Sequence, residues 1–153
     1  MSDSTINILL VEDDPKDVRL TIHALNAAGL GTNIEVVRDG AEALDFLFCR
    51  GLHAERDIED RPRMIMLDLK VPKVTGIEVL AEIKHHAATR PIPVVVLTSS
   101  RQEADLAACY RLGANSYIQK PFDFDDFRTT IASVARYWLV VNQPPPDRAF
   151  AAE

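Results

Sequence analysis

Five residues with chemistry to offer stand at the ends of apolar runs. Glu12 and Asp13 follow Ile6 to Val11, and Asp68 follows Met64-Ile65-Met66-Leu67. Thr98 follows Val94 to Leu97, and Lys120 follows Asn115 to Gln119, a short and less apolar run. A carboxylate beside a core loses water and adds little to stability. At the rim of a sheet, however, it presents a nucleophile. Three carboxylates on one rim repel, so something must hold them ionised at neutral pH. A hard divalent cation with all-oxygen ligation and positions left for water and phosphate oxygen suits Mg²⁺. The metal and Lys120 would neutralise charge that develops as a phosphoryl group moves onto Asp68, a reaction governed by positioning and electrostatics. Thr98 would donate to a phosphoryl oxygen. No histidine, cysteine or Ser/His pair is placed for another chemistry.

Each residue alone has a simpler reading. An acid after a strand is commonly a turn or helix cap, a single lysine is a solvated surface group, and a threonine caps the next helix. Those readings do not explain why all five fall at strand carboxyl ends, where ligands bind in an open parallel sheet.

The elements around them follow from periodicity and end signals. The apolar runs read as buried strands, with Ile34 to Val37 as a further short one. Asp14 caps the first helix ahead of Pro15 at its first position, with Asp17 three residues on. Asp39 with Glu42, Thr75 with Glu78, and Ser100 with Glu103 stand in capping-box positions, and Asp123 with Asp126 starts the last helix. Ala43, Leu44, Leu47 and Phe48 form the stripe of the second helix, which Gly51 ends. Gly113 suits a left-handed helix end. Residues 52–63 are charged and aperiodic, a long exposed loop. Five strands alternating with five helices imply an α/β fold with a doubly wound parallel sheet.

One domain is expected from 153 residues, with a folded body over 1–143 and a flexible tail over 144–153. A net charge of −6 without a basic patch argues against nucleic acid. No apolar stretch nears the ~20 residues of a membrane span, and Met1-Ser2-Asp3-Ser4 starts no signal peptide. Cys49 and Cys109 read as buried small hydrophobes in a reducing cytosol, and the expected location is cytoplasmic.

The stretches Ile8-Leu9-Leu10-Val11-Glu12-Asp13, Met66-Leu67-Asp68-Leu69 with Pro72 and Gly76, Val94 to Thr98, and Gly113 to Phe122 resemble the receiver domains of two-component response regulators. The resemblance implies a flavodoxin-like five-stranded sheet in the order 2-1-3-4-5. It implies a signalling protein, not an enzyme in the usual sense, that takes a phosphoryl group on Asp68 from a phosphohistidine of a histidine kinase. Asp13, Asp68 and the Lys70 backbone carbonyl would ligate Mg²⁺, with Glu12 acting through water. Thr98 and Tyr117 would be the switch pair that remodels the face of helix four, strand five and helix five. Lys120 would pair with the phosphoryl group, and the Lys120–Pro121 bond would be cis. Arg38 to Leu47, the long loop, and Tyr137-Trp138-Leu139 resemble small regulators paired with phytochrome-type kinases; a phosphate-sink or adaptor role for another kinase stays open.

Tyr137-Trp138-Leu139-Val140-Val141 is apolar all round, whereas a surface helix has one apolar stripe. The surplus side reads as a homodimer interface through helices four and five, built on Tyr137, Trp138 and Leu139; a helix end folded over the core is the alternative. The signal would reach an unidentified downstream protein by contact. Three rivals fit less well. An aspartate-nucleophile phosphatase wants an acid at position 70, which is lysine; a nucleotide- or flavin-binding module wants glycines where Glu12-Asp13-Asp14-Pro15 stands. A receiver without chemistry would not need the full residue set.

Overall fold

The structure, a computed structural model, describes residues 6–151. Its elements are β1 (Ile8–Val11), α1 (Pro15–Ala27), β2 (Ile34–Val37), α2 (Gly40–Leu47), β3 (Met64–Leu67), α3 (Gly76–His85), β4 (Val94–Thr98), α4 (Glu103–Leu112), β5 (Ser116–Gln119) and α5 (Phe124–Arg136). The strands form one parallel sheet in the order β2-β1-β3-β4-β5, as the resemblance implied. Strand order reverses between β1 and β3, so a crevice opens beyond their carboxyl ends.

Side chains alternate across a sheet, and this alternation divides the core. Leu9, Val11, Ile65, Leu67, Val94 and Val96 face α2, α3 and α4. Ile8, Leu10, Met64, Met66, Val95 and Leu97 face α1 and α5. β1, β3 and β4 are buried on both faces, which is why they read as unbroken apolar runs.

Asp14, Asp39 and Asp123 accept hydrogen bonds from Lys16 N, Glu42 N and Asp126 N at their helix starts. Thr75 and Glu78 complete the reciprocal capping box of α3. Two expectations are corrected. Glu42 turns its carboxylate to Arg38 N, not to the cap residue Asp39. Ser100 does not cap α4: that helix starts two residues later, its N-cap Gln102 makes no side-chain cap bond, and Ser100 Oγ bonds Asp105 instead. Gly113 does take the left-handed helix end, with φ 107°.

α2 ends at Leu47, before Gly51, because Cys49 takes the left-handed turn at φ 57°. Phe46 is buried, while Leu44 and Phe48 of the expected stripe are only half-buried. Arg56 from the long loop lies over the Phe46 ring, 3.8 Å from its centroid, and donates Nη1 to Phe46 O and, at 3.6 Å, to Cys49 Sγ. That loop is therefore pinned where full exposure was expected, and Cys49 is only half-buried.

After α5 the chain widens into a π-helical turn, Tyr137–Val141, closed by Asn142 N to Tyr137 O at 2.7 Å. The wider turn rotates the apolar run, so Leu139 enters the core beside Phe127 and Ile131 and Trp138 packs against them. Tyr137, Val140 and Val141 remain exposed. Leu139 cannot serve an interface, and the folded-over alternative holds for it. Residues 147–150 form a short turn in which Phe150 packs against the core with Arg61 stacked at 3.7 Å. The expected loose tail is docked over this part; its last two residues and Met1 to Thr5 lie outside the described residues.

Gly76 is the close approach that holds the third strand's end. A Cβ there would lie 2.4 Å from Asp68 O and 2.5 Å from Leu69 Cα. Backbone cannot yield as a side chain can, so Gly76→Ala is expected to destabilise the fold by about 1–3 kcal/mol, read as a lower urea midpoint.

Candidate functional site

Three backbone bonds extend the sheet past its strand ends and carry the polar residues with it. Glu12 N donates to Val37 O at 3.0 Å, Asp68 N to Val11 O at 3.1 Å, and Lys120 N to Thr98 O at 2.8 Å. Glu12, Asp68 and Lys120 therefore keep the parity of the face covered by α1 and α5. Thr98 and Tyr117 keep the parity of the face covered by α4.

Lys120 Nζ is the centre of the first group. It donates to Glu12 Oε1 at 2.7 Å, Asp17 Oδ2 at 2.8 Å and Asp68 Oδ2 at 2.9 Å. Glu12 and Asp68 are buried, 3% and 7% exposed. Asp13, exposed, offers an oxygen that lies with one from Glu12 and one from Asp68 within 4.8 Å of one another. Lys70 joins through its backbone, its N donating to Asp68 Oδ1 at 3.2 Å, while the residue itself is exposed. Asp14 N donates to Glu12 Oε2 at 3.2 Å.

Asp17 was not among the expected site residues. As the third residue of α1 it reads as an acid favoured by the helix macrodipole. The available signal was that α1 packs over the face on which Lys120 emerges.

Burial and the lysine compete for each charge. Burial is the largest influence on Asp68 and raises its pKa, but the hydrogen bond and charge of Lys120, with Lys70 N and Glu12, outweigh it and hold the carboxyl below its ordinary value. Glu12 goes the other way: burial, helped by the Asp68 charge, pushes it up to about 7 against the pull of Lys120. Burial would lower Lys120, yet its three carboxylate partners raise it well above the ordinary ammonium range. One ammonium thus faces four carboxylates and satisfies only part of their charge. That surplus, held on hard oxygen donors, fits a divalent cation of the Mg²⁺ class.

Thr98 is fully buried, and its Oγ1 accepts from Ser100 N at 3.2 Å. The Tyr117 ring packs against the core, and its buried hydroxyl has no hydrogen-bond partner among the described residues. Burial pushes its phenol above the ordinary range, and nearby Ser100 offsets part of the effect without completing a bond. The described residues contain no cis peptide, so the Lys120–Pro121 expectation is corrected. The trans bond is the form favoured for most X–Pro pairs.

A doubly wound sheet with an acid–lysine cage at its switch point and a buried hydroxyl–aromatic pair beside it defines a receiver. The chain belongs to the response regulator receiver domain family, which it matches over residues 8–132. It is 44% identical over 138 residues to the probable methanogenesis regulatory protein FilR2 of Methanothrix harundinacea, covering 90% of this chain and 86% of that one. It is 40% identical over 132 residues to the response regulator Rcp1 of Synechocystis, covering 86% of this chain and 88% of that one. The Mn²⁺-bound crystal structure of Rcp1 matches with TM-score 0.85, 38% identity, and coverage of 92% and 99%. The phosphorylated cyanobacterial phytochrome response regulator RcpA matches with TM-score 0.86, 37% identity, and coverage of 93% and 99%.

Glu12 sets a pH signature. The folded chain holds its proton up to about 7, while an unfolded glutamate releases it near the ordinary 4.5. In that window the folded state binds more protons, so this group's contribution to stability falls as pH rises. Without divalent metal, the urea midpoint of the wild type is expected to drop relative to Glu12→Gln between about pH 5 and pH 7.5. Parallel pH profiles of the two proteins would contradict this.

Proposed function

We propose that the chain is a response regulator that takes a phosphoryl group on Asp68 from a histidine kinase and passes the change on by protein contact. The observation that carries the reading is the Lys120 cage. It keeps Asp68 ionised and hydrogen-bonded at the switch point, beyond the strand ends where such sheets bind their ligands. A carboxylate oxygen of Asp68 attacks phosphorus; the O–P bond forms as the P–N bond breaks, and the imidazole nitrogen keeps the electron pair. Lys120 then partners the phosphoryl oxygens, and Thr98 turns its hydroxyl to donate to one of them.

Asp13, Asp68 and the Lys70 carbonyl would hold Mg²⁺, with Glu12 acting through water. When bound, the cation supplies positive charge that offsets both the acids and the incoming phosphoryl group. The Mn²⁺-bound relative and the surplus of carboxylates support this assignment. Tyr117 carries the change in Thr98 to the surface of α4, β5 and α5. Nothing in this cycle turns over a substrate beyond assisting its own phosphorylation and dephosphorylation.

The kinase we favour is a phytochrome-type light sensor, on the likeness to the phytochrome response regulator RcpA. The likeness to FilR2, a methanogenesis regulator by name, favours a second reading: an adaptor or phosphate sink for a different histidine kinase. No described helix is long and apolar enough to cross a membrane, and we assign the protein to the cytoplasm. We further assign a homodimer to the last helix, now on Tyr137, Val140 and Val141, which remain exposed, with the partly buried Trp138 ring against Tyr137.

Incubation with a phosphorylated histidine kinase and Mg²⁺ is expected to label the wild type and leave Asp68→Asn unlabelled; label on the Asn variant would refute the acceptor assignment. In sedimentation, wild type is expected as a dimer and Val140→Asp, Val141→Asp as a monomer. A monomeric wild type, phosphorylated or not, removes the dimer.

A further inference from the structure

Asp17 is the one acid bonded to Lys120 that has no part in the metal group. Glu12, Asp13 and Asp68 bring three oxygens within 4.8 Å of one another, and Asp17 is not among them. It nevertheless accepts from Lys120 Nζ at 2.8 Å, as closely as Glu12 at 2.7 Å and Asp68 at 2.9 Å.

An acid in the first turn of a helix has an ordinary explanation, attraction to the macrodipole. Asp14 already serves that end of α1, its side chain accepting from Lys16 N. Asp17 stands instead at the head of the packed stripe of the helix, four residues before Thr21 and eight before Leu25, both buried. Its side chain is 19% exposed, and that of Lys120 is 10% exposed.

The ammonium lies between two environments. On one side are Glu12 and Asp68, with Asp13 beyond them. On the other, Asp17 and Lys120 line a half-open cavity with Leu20, Phe122, Phe124 and Phe127, and none of the three grouped acids lines it. Apolar walls there strengthen the attraction between Asp17 and Lys120. Each carboxylate oxygen has a second lone pair, so the ammonium does not block Glu12 or Asp68 outright. The conflict is one of charge: an ammonium seated on those acids repels a divalent cation on the same acids. Of the three bonds of Lys120, only the one to Asp17 leads away from the grouped oxygens.

We propose that Asp17 is an anchor that draws the Lys120 ammonium toward α1, so that Glu12 and Asp68 can accept a divalent cation while the lysine stays at the crevice. The inference rests on the assignment of Mg²⁺ to these acids and extends it to a residue outside the ligand set. With Asp17 present, Lys120 has a counter-ion that the metal does not share. It can loosen its bonds to the other two acids without becoming an unpaired buried charge, and it remains in place for the phosphoryl group. Without Asp17, Glu12 and Asp68 are its only partners in the cage, and it must be driven from them before a cation can sit there. Asp17 touches no reacting atom; it is a positioning residue.

The test is calorimetric titration of the full chain with Mg²⁺, without phosphodonor. Asp17→Asn is expected to weaken Mg²⁺ binding about tenfold, the scale on which one unit charge acts beside a divalent cation. Lys120→Met removes the competing ammonium and is expected to tighten binding. In that background Asp17→Asn should change the affinity by less than about twofold, because the anchor has nothing to hold. An Asp17 that acted only through its own charge, or only by packing α1, would weaken binding alike in both backgrounds.

If Asp17→Asn binds Mg²⁺ within about twofold of the wild type, or if its loss persists in Lys120→Met, the anchor is overturned and the metal assignment stands. If the wild type takes up no Mg²⁺, the metal assignment fails and the anchor with it, while labelling of Asp68 tests the acceptor role separately. Should Lys120→Met not fold, the Lys120 Cε signal in NMR decides. Saturating Mg²⁺ is expected to move it further in Asp17→Asn than in the wild type, and equal shifts overturn the proposal.

Discussion

The Lys120 ammonium inside its carboxylate cage is the interaction on which the rest depends. It is a largely buried cation held by Glu12, Asp17 and Asp68 from three separate elements. Desolvating such charges is expensive, and removing one member of a buried set leaves the others uncompensated, typically at about 3–5 kcal/mol. The cage therefore ties the ends of β1, β3 and β5 to the start of α1 by charge. Because one lysine cannot satisfy four acids, it also leaves the crevice receptive to added positive charge.

Everything below the rim keeps that cage in place. The four-residue strands β1 and β3 are buried on both faces and in register from Ile8 with Met64 to Val11 with Leu67. A one-residue slip would turn the acids to the opposite face. Gly76 lets α3 press directly on the Asp68 backbone, and three carboxylate caps fix the starts of α1, α2 and α5. The scaffold is closely packed beneath the acids.

It is less constrained on the α4 side. Thr98 and Tyr117 face the α4 side of the sheet while the charged cage faces the α1 side, so one rim serves two layers. β4 connects them: Thr98 stands at its end, bonded to Ser100 through one atom and to Lys120 N through another. A helix with one buried residue and no side-chain cap covers the face on which Thr98 and Tyr117 lie.

The sequence by itself determined the fold, the sheet's alternation with helices, and most of the site. Strand-end residues are positioned by local rules, namely apolar runs, caps and a period of two, and such rules act over a few residues. Glu12, Asp13, Asp68, Thr98 and Lys120 were legible for that reason. The same period of two already carried the division between the cage face and the switch face. What only the tertiary structure decided was every contact between distant segments. Asp17 joins Lys120 across 103 positions of chain, and nothing local separates it from an ordinary first-turn acid. Leu139 turned inward because a π-helical turn rotated the apolar run, and Phe150 docked because Arg61 offered a stacking partner. Ser100 left its capping role for Asp105 and Thr98. In each case the outcome turned on which groups the fold brought together, which spacing along the chain does not specify.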